Sequence, residues 1–149
     1  MKALLQRVSA ASIVVSGKEI ARIGRGLLVM VGFEPEDDPA RVAKLMQRCL
    51  DYRVFADAQG RMNRSLRDTG GGLLLVPQFT LAAETHSGLR PGFSSSAPPA
   101  QAAPLFEHAV QVTTQWLGEA RVQRGRFGAD MAVSLVNDGP VTFWLQLPS

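Results

Sequence analysis

Only one cysteine, Cys49, stands in 149 residues, so no internal disulfide can form and the fold must rest on its core. That usage points to a reducing compartment. Cys49 falls on an apolar helical face and reads as a buried structural thiol rather than a nucleophile or ligand. Histidine is scarce too. His86 lies in a polar stretch with Ser87 and Gly88, and His108 falls on the outer face of a predicted helix; both read as surface residues. There is no Cys-x-x-Cys, no His-Glu-x-x-His and no Gly-rich phosphate loop. The chain therefore gives no sequence support for a metal, a cofactor or a Ser-His-Asp triad, and neither metal nor cofactor is expected. Long apolar runs are also missing. The uncharged stretch Thr69–Ala83 carries three glycines and a proline and falls short of the roughly 18 apolar residues a span needs. Near the start, Gln6 and Arg7 cut the apolar run of a signal peptide. No membrane association and a cytoplasmic location are the expectation.

What is present suits one globular domain, residues 1–149. Apolar residues make up 46% and net charge is +3, with arginine dominating the basic side chains. That charge is too weak for a strong nonspecific nucleic-acid binder. Arg53, Arg61, Arg64 and Arg67 form one local basic stretch, and Arg121, Arg124 and Arg126 another. A solvated surface is the default reading of both, and phosphate contact the alternative.

The first third reads as strands, with a hairpin turn at Ser16–Glu19 and a buried central strand over Gly26–Phe33. Asp37 or Asp38 and Pro39 open a helix with Val42, Leu45, Met46 and Cys49 on one face, ending near Leu50 or Asp51. Arg53–Phe55 suggests a short strand, Asp57–Gly60 a turn, and Leu73–Val76 a buried strand. A second helix presents Leu105, Ala109, Val112 and Trp116 and stops at Gly118. Pro104 predicts a start near Ala103, or a kink there. Arg121–Leu147 reads as strands broken at Asn137–Pro140. Runs of strands with two inserted helices predict an α+β domain built on antiparallel sheet.

Two segments carry the chemistry. One is Gly72–Ala83, containing Pro77-Gln78-Phe79-Thr80, followed by Arg90-Pro91-Gly92-Phe93-Ser94-Ser95-Ser96-Ala97-Pro98. The other is Asn137-Asp138-Gly139-Pro140-Val141-Thr142, preceded by Gly128-Ala129-Asp130-Met131. Taken alone, Gly139-Pro140 reads as a turn, Phe127 and Met131 as core, and Phe79 equally as core or as a surface under a ligand. Thr80 could be a nucleophile or a positioning residue; a nucleophile needs an adjacent base, and none is recognisable nearby in sequence.

Together these segments closely resemble the D-aminoacyl-tRNA deacylases, whose signatures are a Ser-Gln-Phe-Thr run and an Asn-x-Gly-Pro-Val-Thr run. The resemblance runs from Met1 to Gln146, through Leu4-Leu5-Gln6-Arg7-Val8 and Gly26-Leu27-Leu28-Val29. The second signature is intact; in the first, Pro77 takes the serine's place. The resemblance implies a closed or nearly closed barrel with two outer helices, assembled as a homodimer, and aminoacylated tRNA as partner. It implies hydrolysis of the ester joining a D-amino acid to tRNA, and of glycyl-tRNA, including glycine mischarged on tRNA-Ala. Gln78, Phe79 and Thr80 become the catalytic turn, supplying backbone N–H groups to the oxyanion, with the substrate's 2′-hydroxyl assisting. Gly139 and Pro140, joined by a cis bond, become a wall against L side chains that reaches into the partner subunit's site. Phe127 and Met131 become pocket residues. The competing readings are a Thr80-nucleophile esterase and a noncatalytic RNA-binding module of the same fold.

Overall fold

The computed structural model describes residues 1–148. Strand β1 (Lys2–Val15) turns at Ser16-Gly17 into β2 (Lys18–Ile23), and β3 (Gly26–Gly32) follows. The turn has positive φ at both central residues, 50° and 77°, as a tight hairpin requires. After helix α1 (Pro39–Asp51) come the short pair β4 (Phe55–Ala56) and β5 (Met62–Arg64), then β6 (Gly72–Pro77). Helix α2 (Pro99–Leu117) leads to β7 (Val122–Arg124) and the 15-residue β8 (Ala132–Gln146).

The α+β class is as the sequence pattern predicts and the barrel-like curl as the family resemblance implies, but the sheet is mixed. β1 pairs antiparallel with β2, β3 and β8. β3–β6 and β6–β7 are parallel. The reason lies in the connections. Parallel neighbours need a long crossover, and the two helices lie in those crossovers, α1 between β3 and β6, α2 between β6 and β7. Antiparallel pairing alone would have left no need for them.

Both faces of the central strands are therefore covered. Leu27, Val29, Leu73 and Leu75 share one core with Val42, Leu45 and Met46 of α1 and Leu105, Phe106 and Ala109 of α2. Leu28, Leu74 and Val76 share the other with Val8, Ile13, Val15, Ala21 and Ile23 of β1 and β2. That is why Gly26–Gly32 reads as a continuous apolar run rather than an alternating one. Burying each such side chain is worth about 1.5–3 kcal/mol.

The helices follow their signals with one exception. Asp38 Oδ1 accepts the Arg41 N–H at 2.8 Å as N-cap, with Pro39 at the first turn. Cys49 is buried, and burial pushes its thiol pKa up to about 12. Helix α2 begins at Pro99, not Ala103, and runs through Pro104. Pro104 has no N–H for the preceding turn, a loss of up to about 3 kcal/mol. Burial of Ala102, Leu105, Phe106 and Ala109 offsets it. Trp116 sits at the margin of the stripe, 36% exposed, with the Arg67 guanidinium 5.2 Å from its ring centre. Strand β8 is likewise a single element rather than two. Only its pairing is interrupted: Val8 faces Asn137 and Gln6 faces Thr142, so Asp138–Val141 bulge out opposite Arg7.

Candidate active site

The candidate catalytic turn, residues 78–80, grows from the end of β6. The Gln78 N–H donates to Val31 O at 2.7 Å, carrying the β3 ladder one residue further. A single 3-10 turn, Phe79–Ala82, follows. The Leu81 N–H donates to Gln78 O and the Ala83 N–H to Thr80 O, both at 3.2 Å. Among the described residues, the N–H groups of Phe79 and Thr80 have no acceptor. These are the open donors at the start of a helical turn. Gln78 is not a third backbone donor, because Val31 already takes its N–H.

The Gln78 side-chain amide donates to Thr80 Oγ1, and both Phe79 and Thr80 are exposed. The Arg90–Pro98 segment buttresses this turn from outside. Ser95 Oγ donates to Ala82 O at 2.6 Å, Ser96 Oγ to Phe79 O at 3.2 Å, and the Ala97 N–H to Phe33 O at 2.9 Å. The Phe93 ring lies 5.2 Å from that of Phe79. A hydroxyl tied to each end of a turn fixes where its free donors point.

Met131 and Phe127 come to the same end of the sheet. Parallel pairing sets Leu75 against Arg124, so the chain after β7 passes the mouth of β6. The Gly125 N–H donates to Leu75 O at 2.8 Å. A Cβ on Gly125 would sit 2.8 Å from Met131 Sδ and 3.2 Å from Pro77 Cδ, so Met131 and Pro77 close over a position that only glycine leaves room for. Phe127 is half-buried, its ring 6.5 Å from that of Phe106.

The second signature is elsewhere. The Gly139-Pro140 bond is cis and both residues are exposed. Asn137 brackets the corner: its Oδ1 accepts the Val141 N–H at 2.7 Å, and its Nδ2 donates to Thr142 Oγ1 at 2.9 Å. From β1, Arg7 donates through Nε to Asp138 O at 2.9 Å and through Nη1 to Val54 O at 2.7 Å. Gly139 has φ 149°, and a Cβ there would lie 2.6 Å from Val141 Cγ2. Only glycine fits this corner.

The pairing places the two signatures apart. Val8 is opposite both Asn137 and Gly26, and Gly26 is opposite Gly72. Gly139 thus lies near the start of β6. Gln78 lies six residues further along, about 20 Å at 3.3 Å per residue. One chain does not bring Gly139 and Pro140 to Phe79 and Thr80.

Comparison with known proteins gives the family. The D-Tyr-tRNA(Tyr) deacylase family profile matches residues 4–146. The chain belongs to that family. A D-aminoacyl-tRNA deacylase of Pseudomonas paraeruginosa is 61% identical, over 98% of this chain and 99% of the relative. One from Azotobacter vinelandii is 58% identical over the same shares. Among solved structures, a c-Myc DNA unwinding element binding protein superposes with TM-score 0.94 at 36% identity, with 100% of both chains covered. A probable eukaryotic D-amino acid tRNA deacylase, 18% identical, shares the fold at TM-score 0.84 over 97% of both chains.

Three residues that contact the two signature segments, Ser95, Ser96 and Arg7, escaped sequence reasoning. Ser95 and Ser96 lie in a segment that carried the resemblance, but a Ser-Ser-Ser run gives no sign of which hydroxyl meets which carbonyl. The signal that could have found Arg7 is a charge inside a strand otherwise bound for the core. Among the described residues, no three His, Cys, Asp or Glu side chains converge as metal ligands do. Among the described residues, no helix is long and apolar enough to cross a membrane.

Proposed function

We propose that this chain hydrolyses the ester linking a D-amino acid, or glycine, to the 3′ end of tRNA, and that it does so as a homodimer. The observation that carries the reading is the pair of free N–H groups at Phe79 and Thr80, held by Ser95 and Ser96 on a chain of the deacylase family. Water adds to the ester carbonyl, and the oxyanion that forms is met by these two donors. Its collapse breaks the bond to the ribose 3′-oxygen, which leaves with a proton. Losing one preorganised donor of this kind typically costs about 10²–10³ in rate. The vicinal 2′-hydroxyl, already beside the ester, assists the proton transfers, so a protein base is not required. Thr80 fits positioning better than attack, because its hydroxyl is tied to the Gln78 amide and not to a base.

Rejection of L-aminoacyl-tRNA is assigned to Gly139 and Pro140 of the partner subunit, acting as a wall where an L side chain would go. Attraction in an apolar pocket separates substrates by only about 1–3 kcal/mol per methylene, whereas a packed corner does not yield. The bracket made by Asn137 and Arg7 supports this use of the corner. The separation of the two signatures within one chain supports a second subunit. Phe127 and Met131 line the approach to the turn.

The test is a single-turnover assay on D-Tyr-tRNA, L-Tyr-tRNA and glycyl-tRNA. Release from the D and glycyl esters, with the L ester nearly untouched, is expected. Equal rates on both enantiomers would remove the chiral assignment, and no release at all would remove the enzymatic one. A monomer active at working concentration, seen by light scattering, would remove the cross-subunit wall.

A further inference from the structure

A cleft of about 590 Å³ opens beside the Gly139-Pro140 corner, at the end of the sheet away from the catalytic turn. Its walls include Arg7, Arg25, Arg64, Gly70, Gly71 and Asp138. Arginines differ across the surface in whether they meet a carboxylate. Arg22, Arg41, Arg67 and Arg124 each meet a carboxylate. Among the described residues, Arg25 and Arg64 form no ion pair, and both are exposed. Arg64 reaches only the Asp68 carbonyl, at 2.6 Å. The one carboxylate in the wall, Asp138, sits 3.8 Å from Arg7 Nε, which donates to the Asp138 carbonyl while Nη1 donates to that of Val54. Asp68 lies just outside, and its pKa is held low by the Ser65 N–H and hydroxyl, so it stays ionised and engaged at that turn. Among the described residues, the cleft thus keeps two guanidinium groups outside any ion pair, Arg25 and Arg64, with the Asp68 charge felt by Arg64 from outside the wall. The Gly70 N–H beside them is without an acceptor among the described residues.

We propose that this cleft binds backbone phosphates of the tRNA whose 3′ end is being hydrolysed in the partner subunit's site. The inference rests on the deacylase reading and on the corner reaching across the dimer. If the corner touches the partner's substrate, the cleft that flanks it lies on the path of the nucleotides leading to that 3′ end. Arginine forks and an open glycine amide suit phosphate oxygens, and a glycine floor lets a bulky backbone approach. Such contacts carry no sequence information, which suits an enzyme that must accept many tRNAs. Each RNA would then be gripped by one protomer and hydrolysed by its partner.

The double variant Arg25→Gln/Arg64→Gln tests this in the intact dimer. Both side chains are exposed, so folding should survive, and circular dichroism with light scattering checks it. The substrates are D-Tyr-tRNA and 3′-O-D-tyrosyl-adenosine, which has the ester and vicinal hydroxyl but no phosphodiester. With tRNA, kcat/KM should fall about tenfold or more through KM. Its salt dependence should flatten by about 1.4–1.8 in log–log slope, the amount for two phosphates. With the adenosine ester, kcat/KM should move less than twofold. An equal loss on both substrates, an unchanged salt slope, or a dissociated dimer overturns the proposal. If the wild-type protein cleaves neither ester, the deacylase reading fails by itself. The cleft is then judged by salt-dependent affinity for uncharged tRNA, where no difference between wild type and variant overturns it.

Discussion

At the scale of single residues, the chemistry is assigned to backbone atoms, and this makes two substitutions informative. The Thr80 hydroxyl is tied to Gln78, while its N–H is free. Thr80→Val keeps the N–H and the shape and is expected to retain substantial single-turnover activity on D-aminoacyl-tRNA. A folded Thr80→Val protein with abolished chemistry would favour the nucleophile instead. Pro77 stands where the family has serine, and the geometry accommodates it. Gln78 donates toward β3, so the Pro77 nitrogen faces the β7 side, beyond the last pair at Leu75 and Arg124, and no ladder bond is lost. Pro77→Ser should therefore change the rate by less than about tenfold, or about 1.4 kcal/mol. Gly139 is the opposite case. Its φ of 149° and the 2.6 Å approach of Val141 leave no room for a Cβ. Gly139→Ala is expected to displace the corner and lower the ratio of D to L cleavage at least tenfold, measured on the two tyrosyl-tRNAs. An unchanged ratio would show that the corner is not the wall.

Elements tie these residues to the core, and here charge can be read against pH. Helix α2 and strand β7 are linked by Glu107, which accepts from Arg124 Nη1 at 2.7 Å, while the same guanidinium lies 5.1 Å from the Phe106 ring centre. The hydrogen bond from Arg124 holds the Glu107 carboxyl below its ordinary value. A carboxylate whose folded pKa is depressed adds stability above its unfolded pKa, and that stability is lost as pH falls through the folded value. Wild type should exceed Glu107→Gln by less than about 1 kcal/mol at pH 7, since Glu107 is exposed and Arg124 only half-buried. The gap should close toward pH 3 in urea titrations; a constant gap would mean that packing, not charge, separates them. How far the elements were legible follows the same logic of local against distant causes. The α1 cap at Asp38, the Ser16-Gly17 turn and the stop at Gly118 depend on neighbours in sequence and could be read there. The parallel pairing of β6 could not, because a buried strand has the same apolar run whichever direction its neighbour takes. Nor could the start of α2 at Pro99, since the burial that outweighs Pro104 comes largely from helix α1, about fifty residues away in the chain. At the site, the two signatures were legible as motifs. Their separation along β6 was not, being a matter of register.

That separation governs the molecule as a whole. Each chain carries the proposed catalytic turn at one end of the sheet and the corner at the other, so a two-fold dimer that sets corner against turn would make two complete sites. Mixed dimers test the arrangement. Let one chain carry Gly139→Ala, which keeps its turn but spoils its corner. Let the other carry Thr80→Pro, which removes one of the two free N–H donors but keeps its corner. By itself the first should cleave D- and L-Tyr-tRNA with poor selectivity, and the second should cleave neither at an appreciable rate. When the two are mixed and allowed to exchange subunits, every working turn belongs to the first chain. In a mixed dimer that turn faces the intact corner of the second. At equal concentrations random exchange should lower L-cleavage per working turn by about half, while D-cleavage persists. A large excess of the inactive Thr80→Pro chain should bring selectivity close to wild type. An inactive protein would thus restore discrimination to an active one, which no arrangement within a single chain can do. If the corner served its own chain's turn, the added partner would leave the D-to-L ratio where it was. Circular dichroism of each variant and light scattering of the mixture guard against misfolding or failed exchange, so an unchanged ratio in a well-folded, exchanged dimer would refute the cross-subunit wall.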